Sequence, residues 1–293
     1  METMYHQACY LCGSREIQKL KGYEEHQLVK CSKCSFVFMH RIPTTNELID
    51  YYSVYVYQNE KEVSEATKFS MENLVKQFEP YRKNNRILDV GCGEGWILEI
   101  ARKDNWNVYG TEYSSSAVKI CEARGIKMYP GVLDPTKMDI NEFDVILSLD
   151  TVEHINNPKQ DFGNMNKLLR KGGLLYVTTP NFNSYLRFIL KKKYNIIKYP
   201  EHLGYYTKKT LNLLLTDTGF KKNNLLTTGI SLTRFQDSLN NAVHRYNEPS
   251  SPDEKLRKRI VKSKGLRIIK NVVNRILTFL GLGITLKAYY VKK

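Results

Sequence analysis

Four cysteines near the N-terminus fall as Cys9-x2-Cys12 and, eighteen residues on, Cys31-x2-Cys34. Two such turns let four thiolates converge on one ion and complete the tetrahedron that zinc prefers, leaving no position open for catalysis. The spacing predicts a structural zinc site made of Cys9, Cys12, Cys31 and Cys34, ahead of His6, His26 or His40 as ligands. Cys92 and Cys121 stand alone and read as small buried residues. A second chemical signature is Asp89-Val90-Gly91-Cys92-Gly93-Glu94-Gly95, set between a short apolar run and a helical pattern. Glycines at such a turn let a ligand approach the backbone, and the N–H groups of the helix that follows favour an anionic group. The spacing is G-x-G-x-G rather than G-x-G-x-x-G, which disfavours NAD. Glu112 ends the next apolar run, where an acid can accept hydrogen bonds from both ribose hydroxyls. Together the two features point to a nucleoside-bearing ligand.

These groups need a scaffold, and the chain from residue 86 onward supplies one by alternating short apolar strands with helical patterns. The predicted strands are 86–90, 107–110, 174–179, 224–228 and 284–291, and the predicted helices include 65–78, 96–103 and 208–218. That alternation reads as a doubly wound α/β sheet. The domain reading is a zinc ribbon at 1–41, a connector with Tyr51, Tyr52, Tyr55 and Tyr57 plus a helix at 42–80, and a core at 81–293. A basic helical insertion at 236–282 precedes the last strand.

The 293 residues, 42% hydrophobic and 26% charged, exclude a fibre or a disordered chain. The net charge of +15 predicts an anionic partner, and its position narrows the choice. Residues 187–222 hold nine Lys or Arg against Glu201 and Asp217, and residues 255–275 hold nine with no acid, so the rest of the chain is close to neutral. Residues 1–41 carry six Lys or Arg and four acids, too little for a nucleic-acid footprint. No apolar signal segment follows Met1, and the longest apolar run near the C-terminus, 276–286, is about half the roughly 20 residues a bilayer span needs. The expectation is a cytoplasmic protein, with contact to the inner face of a membrane left open.

ILDVGCGEGW at 87–96, VYGTEYS at 108–114, FDVILSLDTVEHI at 143–155, LLRKGGLLYVTTPN at 168–181 and EHLGYYTKKTLNLLLTDTGF at 201–220 resemble the successive motifs of class I S-adenosylmethionine-dependent methyltransferases. The chain resembles the branch with an N-terminal zinc-binding segment that acts on bacterial small molecules and cell-surface glycans, and its core resembles the ubiquinone-biosynthesis O-methyltransferases. The resemblance implies a Rossmann-like seven-stranded sheet with an antiparallel last strand, S-adenosylmethionine as cofactor, and cytoplasmic polysaccharide or small-molecule biosynthesis as setting. It implies that Gly91, Gly93 and Gly95 line the methionine part of the cofactor, with Asp89 on its amino group. Glu112 would hold the ribose, Tyr113 cover the adenine, Asp134 contact the adenine amine, and Asp150 lie near the sulfonium.

An acceptor hydroxyl must lose a proton, which suits histidine. His202 is the first candidate base and His154 the second, with a structural role for His154 equally open. The interleaved aromatics and lysines of 185–199 read either as a surface for anionic lipid or a diphosphate-bearing substrate, or as a solvated lid. In the insertion, Leu266, Ile268, Ile269, Val272, Val273, Ile276, Leu277 and Leu280 share one side of a helical wheel opposite Arg267, Lys270, Asn271, Asn274 and Arg275. Such a helix either docks on its own domain or lies in a membrane interface. The function expected is methyl transfer to a small-molecule or glycan-type acceptor, phosphate-bearing or lipid-linked. A nucleic-acid methyltransferase ranks behind it, since Leu149-Asp150-Thr151-Val152 stands where a base-amine enzyme carries an Asn-Pro-Pro-Tyr-like motif. A non-catalytic homologue ranks last, given the intact glycine loop.

Overall fold

The computed structural model describes residues 4–44, 47–48, 51, 63–138, 142–240 and 251–293. Tyr52, Tyr55 and Tyr57 of the expected connector, and 241–250 of the insertion, lie outside the described residues. The core strands are β1 (Arg86–Val90), β2 (Asn107–Glu112), β3 (Lys127–Pro130), β4 (Phe143–Leu149), β5 (Leu169–Pro180), β6 (Phe220–Thr228) and β7 (Thr285–Lys292). They lie in the order β6-β7-β5-β4-β1-β2-β3, with β7 antiparallel to both neighbours and the strands from β5 to β3 parallel. Val145, Ile146 and Leu147 of β4 and Leu174, Leu175 and Val177 of β5 are buried, as a parallel sheet covered on both faces requires. After β1 the chain builds outward to β2 and β3, then returns to place β4 on the other side of β1. That reversal opens a crevice at the C-terminal ends of β1 and β4, where open α/β sheets take their ligands.

The described α-helices are α1 (Glu65–Lys76), α2 (Trp96–Lys103), α3 (Ser115–Ala123), α4 (Pro158–Leu168), α5 (Tyr185–Leu190), α6 (Lys208–Asp217), α7 (Leu232–Leu239), α8 (Pro252–Lys262) and α9 (Lys264–Leu280). All but α2 begin at a Ser, Thr or Asn whose side chain accepts a first-turn N–H, from Ser64 before α1 to Ser263 before α9. Such a side chain satisfies one of the four backbone donors that every helix start exposes. Helix α2 starts on Gly95 and has no side-chain cap.

The N-terminal module is a sheet of Ile17–Lys19, Leu28–Cys31 and Val37–Met39, with Gly204–Tyr205 from the core as its fourth strand. The module shares its apolar interior with the core, since the Phe36 ring packs tilted against Tyr206, 5.0 Å between centroids, within one buried cluster. Helix α9 departs from the usual arrangement. It rests on β6 through polar groups: Asn274 Oδ1 accepts from Gly229 N–H at 2.9 Å, and Thr278 Oγ1 donates to the Thr227 carbonyl at 2.9 Å. None of its residues is buried.

Candidate active site

The turn after β1 holds the glycines in conformations that other residues adopt at a cost. Gly91 has φ +75° and Gly95 φ +70°, and neither has room for a side chain. A Cβ on Gly91 would lie 2.8 Å from the Thr151 side chain, and one on Gly95 2.5 Å from Ile126 Cδ1. The turn is tied to β2 because the N–H groups of Gly91 and Cys92 both donate to the Thr111 carbonyl, at 2.9 and 3.0 Å. From the end of β2, Glu112 reaches back under the loop: Oε2 accepts from Gly93 N–H at 2.9 Å, and Oε1 from the N–H groups of Tyr113 and Ser114 at 2.8 and 3.1 Å. Asp89 is buried beside them, and its Oδ1 has no hydrogen-bond partner. Burial, reinforced by the nearby Glu112 carboxylate, raises its pKa to about 7.

An uncapped helix start, a glycine turn closed to side chains, a carboxylate at a strand end and an orphaned buried carboxyl oxygen together form the donor and acceptor set that an amino-acid-bearing nucleoside needs. The residues therefore fit S-adenosylmethionine. Tyr113 stands on the rim and is 62% exposed. Asp134 caps its own turn, Oδ1 accepting from Thr136 N–H at 3.0 Å and Thr136 Oγ1 at 2.7 Å. Asp150 lies just beyond β4 with φ +49°, its Oδ1 accepting from Thr178 Oγ1 at 3.2 Å.

On the far side of the crevice the turn Val152–His154 and the segment before α6 bring Glu153, His154 and His202 together, with ligand atoms within 4.8 Å of one another. The imidazole rings meet edge to face, 4.8 Å between centroids. His202 Nδ1 donates to the Ile196 carbonyl at 2.6 Å, and His154 Nδ1 donates to the Glu201 carbonyl. A carbonyl can only accept, so in each ring Nδ1 carries a proton. Glu153 is buried, with Oε2 accepting from Thr179 Oγ1 at 2.8 Å. Burial lowers His202 to about 3, lowers His154 as well, and raises Glu153 well above the usual carboxylate range, so the cluster prefers to be neutral. Two imidazoles beside a carboxyl group make a set that can relay a proton or hold a divalent cation.

The four N-terminal sulfurs form a compact group, Cys9 to Cys34 at 3.6 Å and Cys12 to Cys31 at 3.5 Å, all within 4.8 Å. A tetrahedral zinc site with bonds near 2.3 Å has sulfur–sulfur edges of about 3.8 Å, so the donor set fits. Both cysteine turns close the same way, with Gly13 N–H donating to the Cys9 carbonyl at 2.7 Å and Ser35 N–H to the Cys31 carbonyl at 2.9 Å. The strand that follows, Val37–Met39, then pairs with Gly204–Tyr205, and Met39 N–H donates to the Leu203 carbonyl at 2.9 Å. Leu203 N–H in turn donates to the Glu153 carbonyl at 2.7 Å. The cysteine module thus holds the residues that follow His202, and through Leu203 their link to Glu153.

The sequence-predicted residues Asp89, Gly91, Gly93, Gly95 and Glu112 converge at one end of β1 and β2, and His154 and His202 at the end of β4. Sequence reasoning missed Thr151, which fills the space beside Gly91 and donates from Oγ1 to the Val90 carbonyl at 3.2 Å. It also missed Arg124, which stacks 3.5 Å over the Trp96 ring and donates to the Glu94 carbonyl at 3.0 Å, bracing the glycine turn from α3. No local pattern marks either residue. Glu153 was visible as the neighbour of His154, but its burial was not.

A sheet in this order with an antiparallel seventh strand, a glycine turn after β1 and an acid ending β2 defines the class I methyltransferases. Residues 62–224, more than half of the chain, match the family model described as Methyltransferase domain. Among curated proteins the chain is similar to the ubiquinone biosynthesis O-methyltransferase of Pelagibacter ubique (strain HTCC1062), 29% identical over 170 residues, covering 54% of this chain and 70% of that protein. It is also similar to that of Coxiella burnetii (strain RSA 493 / Nine Mile phase I), 28% identical over 120 residues, covering 38% of this chain and 51% of the relative's length. Among solved structures, magnesium protoporphyrin IX methyltransferase from Synechocystis PCC 6803 with bound SAH shares the fold at a TM-score of 0.51 and 13% identity, covering 85% of this chain and 100% of that one. The chain belongs to the methyltransferase-domain family and is an S-adenosylmethionine-dependent methyltransferase.

Proposed function

We propose that the protein methylates a hydroxyl group of a small-molecule or glycan-type acceptor, phosphate-bearing or lipid-linked, seated between the glycine turn and the Glu153–His154–His202 cluster. The observation that carries this reading is the pair of imidazoles fixed edge to face beside Glu153, each with its Nδ1 proton committed to a backbone carbonyl. When bound, S-adenosylmethionine supplies a methyl group on a positively charged sulfur. The chain's own groups do the rest. Gly91, Gly93 and Gly95 admit the ligand to the backbone, Asp89 faces an amino group, and Glu112 offers its carboxylate to a ribose. Tyr113 covers one face of the adenine, Asp134 stands at its rim, and Asp150 supplies negative charge at the crevice mouth. His202 and His154 accept the hydroxyl proton, a role worth about 10²- to 10⁴-fold in rate. The oxygen preference is supported by the curated relatives, which are named O-methyltransferases.

Zinc at Cys9, Cys12, Cys31 and Cys34 has a structural place in this proposal. Bound there, it would rigidify the strand that holds the His202 segment by backbone pairing, so the module would shape the acceptor side rather than perform chemistry. The cofactor assignment is tested by titrating S-adenosylhomocysteine into the wild type and Glu112→Ala. Binding by the wild type and a tenfold or greater weakening in the variant are expected; equal heats, or none from either, would sink it.

A further inference from the structure

Helix α9 turns the usual amphipathic rule around. A surface helix normally buries its apolar stripe, whereas α9 uses Asn274, Thr278 and its half-buried Leu277 to sit on β6. At 100° per residue, Ile268, Phe279, Val272, Ile276, Ile269 and Leu280 then fall in one unbroken arc of about 120° on the opposite side. All six are exposed, from 49% at Val272 to 89% at Phe279. Lys264 and Arg275 border one edge of the arc. From residue 255 to residue 280 there is no acid at all.

We infer that this arc is an in-plane anchor for an anionic lipid surface. A continuous apolar face bordered by cations on an otherwise acid-free segment matches acyl chains beneath anionic headgroups in both chemistry and sign. Crossing the bilayer is not the mode, because no described helix is long and apolar enough to do so. A second copy of the chain is a poor occupant, since it would bring two acid-free basic segments together. The placement also serves the site. Asn181, one residue beyond β5, donates from Nδ2 to the carbonyls of Gly281 and Gly283 at 2.9 and 2.7 Å, so the end of α9 is fastened to the edge where Thr179 holds Glu153. A lipid surface under α9 therefore brings the acceptor edge to a lipid-borne hydroxyl. The anchor stands without the acceptor assignment, but that last step rests on it.

The test is co-sedimentation of the full chain with vesicles of phosphatidylcholine alone and with 30% phosphatidylglycerol, at low and high salt, for the wild type and for Ile276→Ser/Phe279→Ser. Both substituted side chains are exposed, and S-adenosylhomocysteine binding by the double variant reports that its core is intact. The wild type should pellet with the anionic vesicles, tenfold less at 0.5 M than at 0.1 M salt, and the variant should lose at least tenfold in partitioning while keeping its cofactor affinity. No pelleting with either vesicle, or equal pelleting of wild type and variant, would overturn the anchor. So would a concentration-dependent dimer that the substitutions convert to monomer without any vesicle binding. Loss of cofactor binding in the wild type would count against the methyltransferase site alone.

Discussion

Asp89→Asn should stabilise the ligand-free protein at alkaline pH while weakening its grip on the cofactor. The carboxyl is buried, one of its oxygens lacks a partner, and its pKa stands at about 7 against an ordinary 3.8. Ionising it in the folded chain therefore costs about 4 kcal/mol more than in the unfolded chain. Between pH 3.8 and 7 the folded state binds the proton more tightly, so this group's contribution to stability falls as pH rises through that window and is level above it. Asparagine cannot ionise. The stability of the variant minus that of the wild type should thus grow by about 2–3 kcal/mol between pH 5 and pH 8. In a chain of this length that is a widening of the melting-temperature gap on the order of 5 °C. Any cost of burying the new amide enters equally at both pH values. Losing a charged partner for the cofactor's amino group should weaken S-adenosylhomocysteine roughly 10- to 100-fold. Thermal melts at pH 5, 6, 7 and 8 without ligand, together with titration calorimetry at pH 8, measure both effects. A melting-temperature gap that does not change with pH, or an unchanged affinity, would refute the reasoning.

Metal analysis should find about one equivalent of zinc, lost when Cys31 and Cys34 are changed to serine. Because the cysteine module holds Gly204–Tyr205, that variant should lose kcat more than S-adenosylhomocysteine affinity; equal losses would point to general unfolding instead. His202→Gln should lower kcat by about 10²-fold or more with cofactor affinity unchanged, since His202 stands across the crevice from the glycine turn. An unchanged kcat would remove His202 from the reaction.

What the sequence made legible was whatever is encoded locally. The strand 86–90 and the helix 96–103 were bounded correctly because an apolar run, a glycine turn and an amphipathic pattern succeed one another there. The cysteine pairs were legible because ligand spacing is a property of one turn. What stayed hidden depends on which surfaces meet. Nothing in GYY at 204–206 announces that Gly204 pairs with a strand more than 160 residues earlier, although its lack of a side chain is needed: a Cβ there would lie 2.7 Å from the Tyr10 hydroxyl. That pairing brings the cysteine module against the segment that carries His202.

The same limit explains α9. A helical wheel tells which residues share a face but not which face turns inward, and the default sends the apolar one to the core. Here the default loses because β6 is an edge strand of the sheet, and the backbone groups of Thr227 and Gly229 at its end need partners. Asn274 and Thr278 supply them, and an apolar side chain cannot. Once the polar side is committed to the sheet edge, the helix has no choice but to turn Ile268, Val272, Ile276 and Phe279 outward. Part of the net charge of +15 then acquires a location, since Lys264 and Arg275 border this outward face on a segment with no acid from residue 255 to residue 280. An exposed apolar stripe without cations would be an aggregation hazard, and the same stripe bordered by cations is suited to a surface that is both greasy and negative.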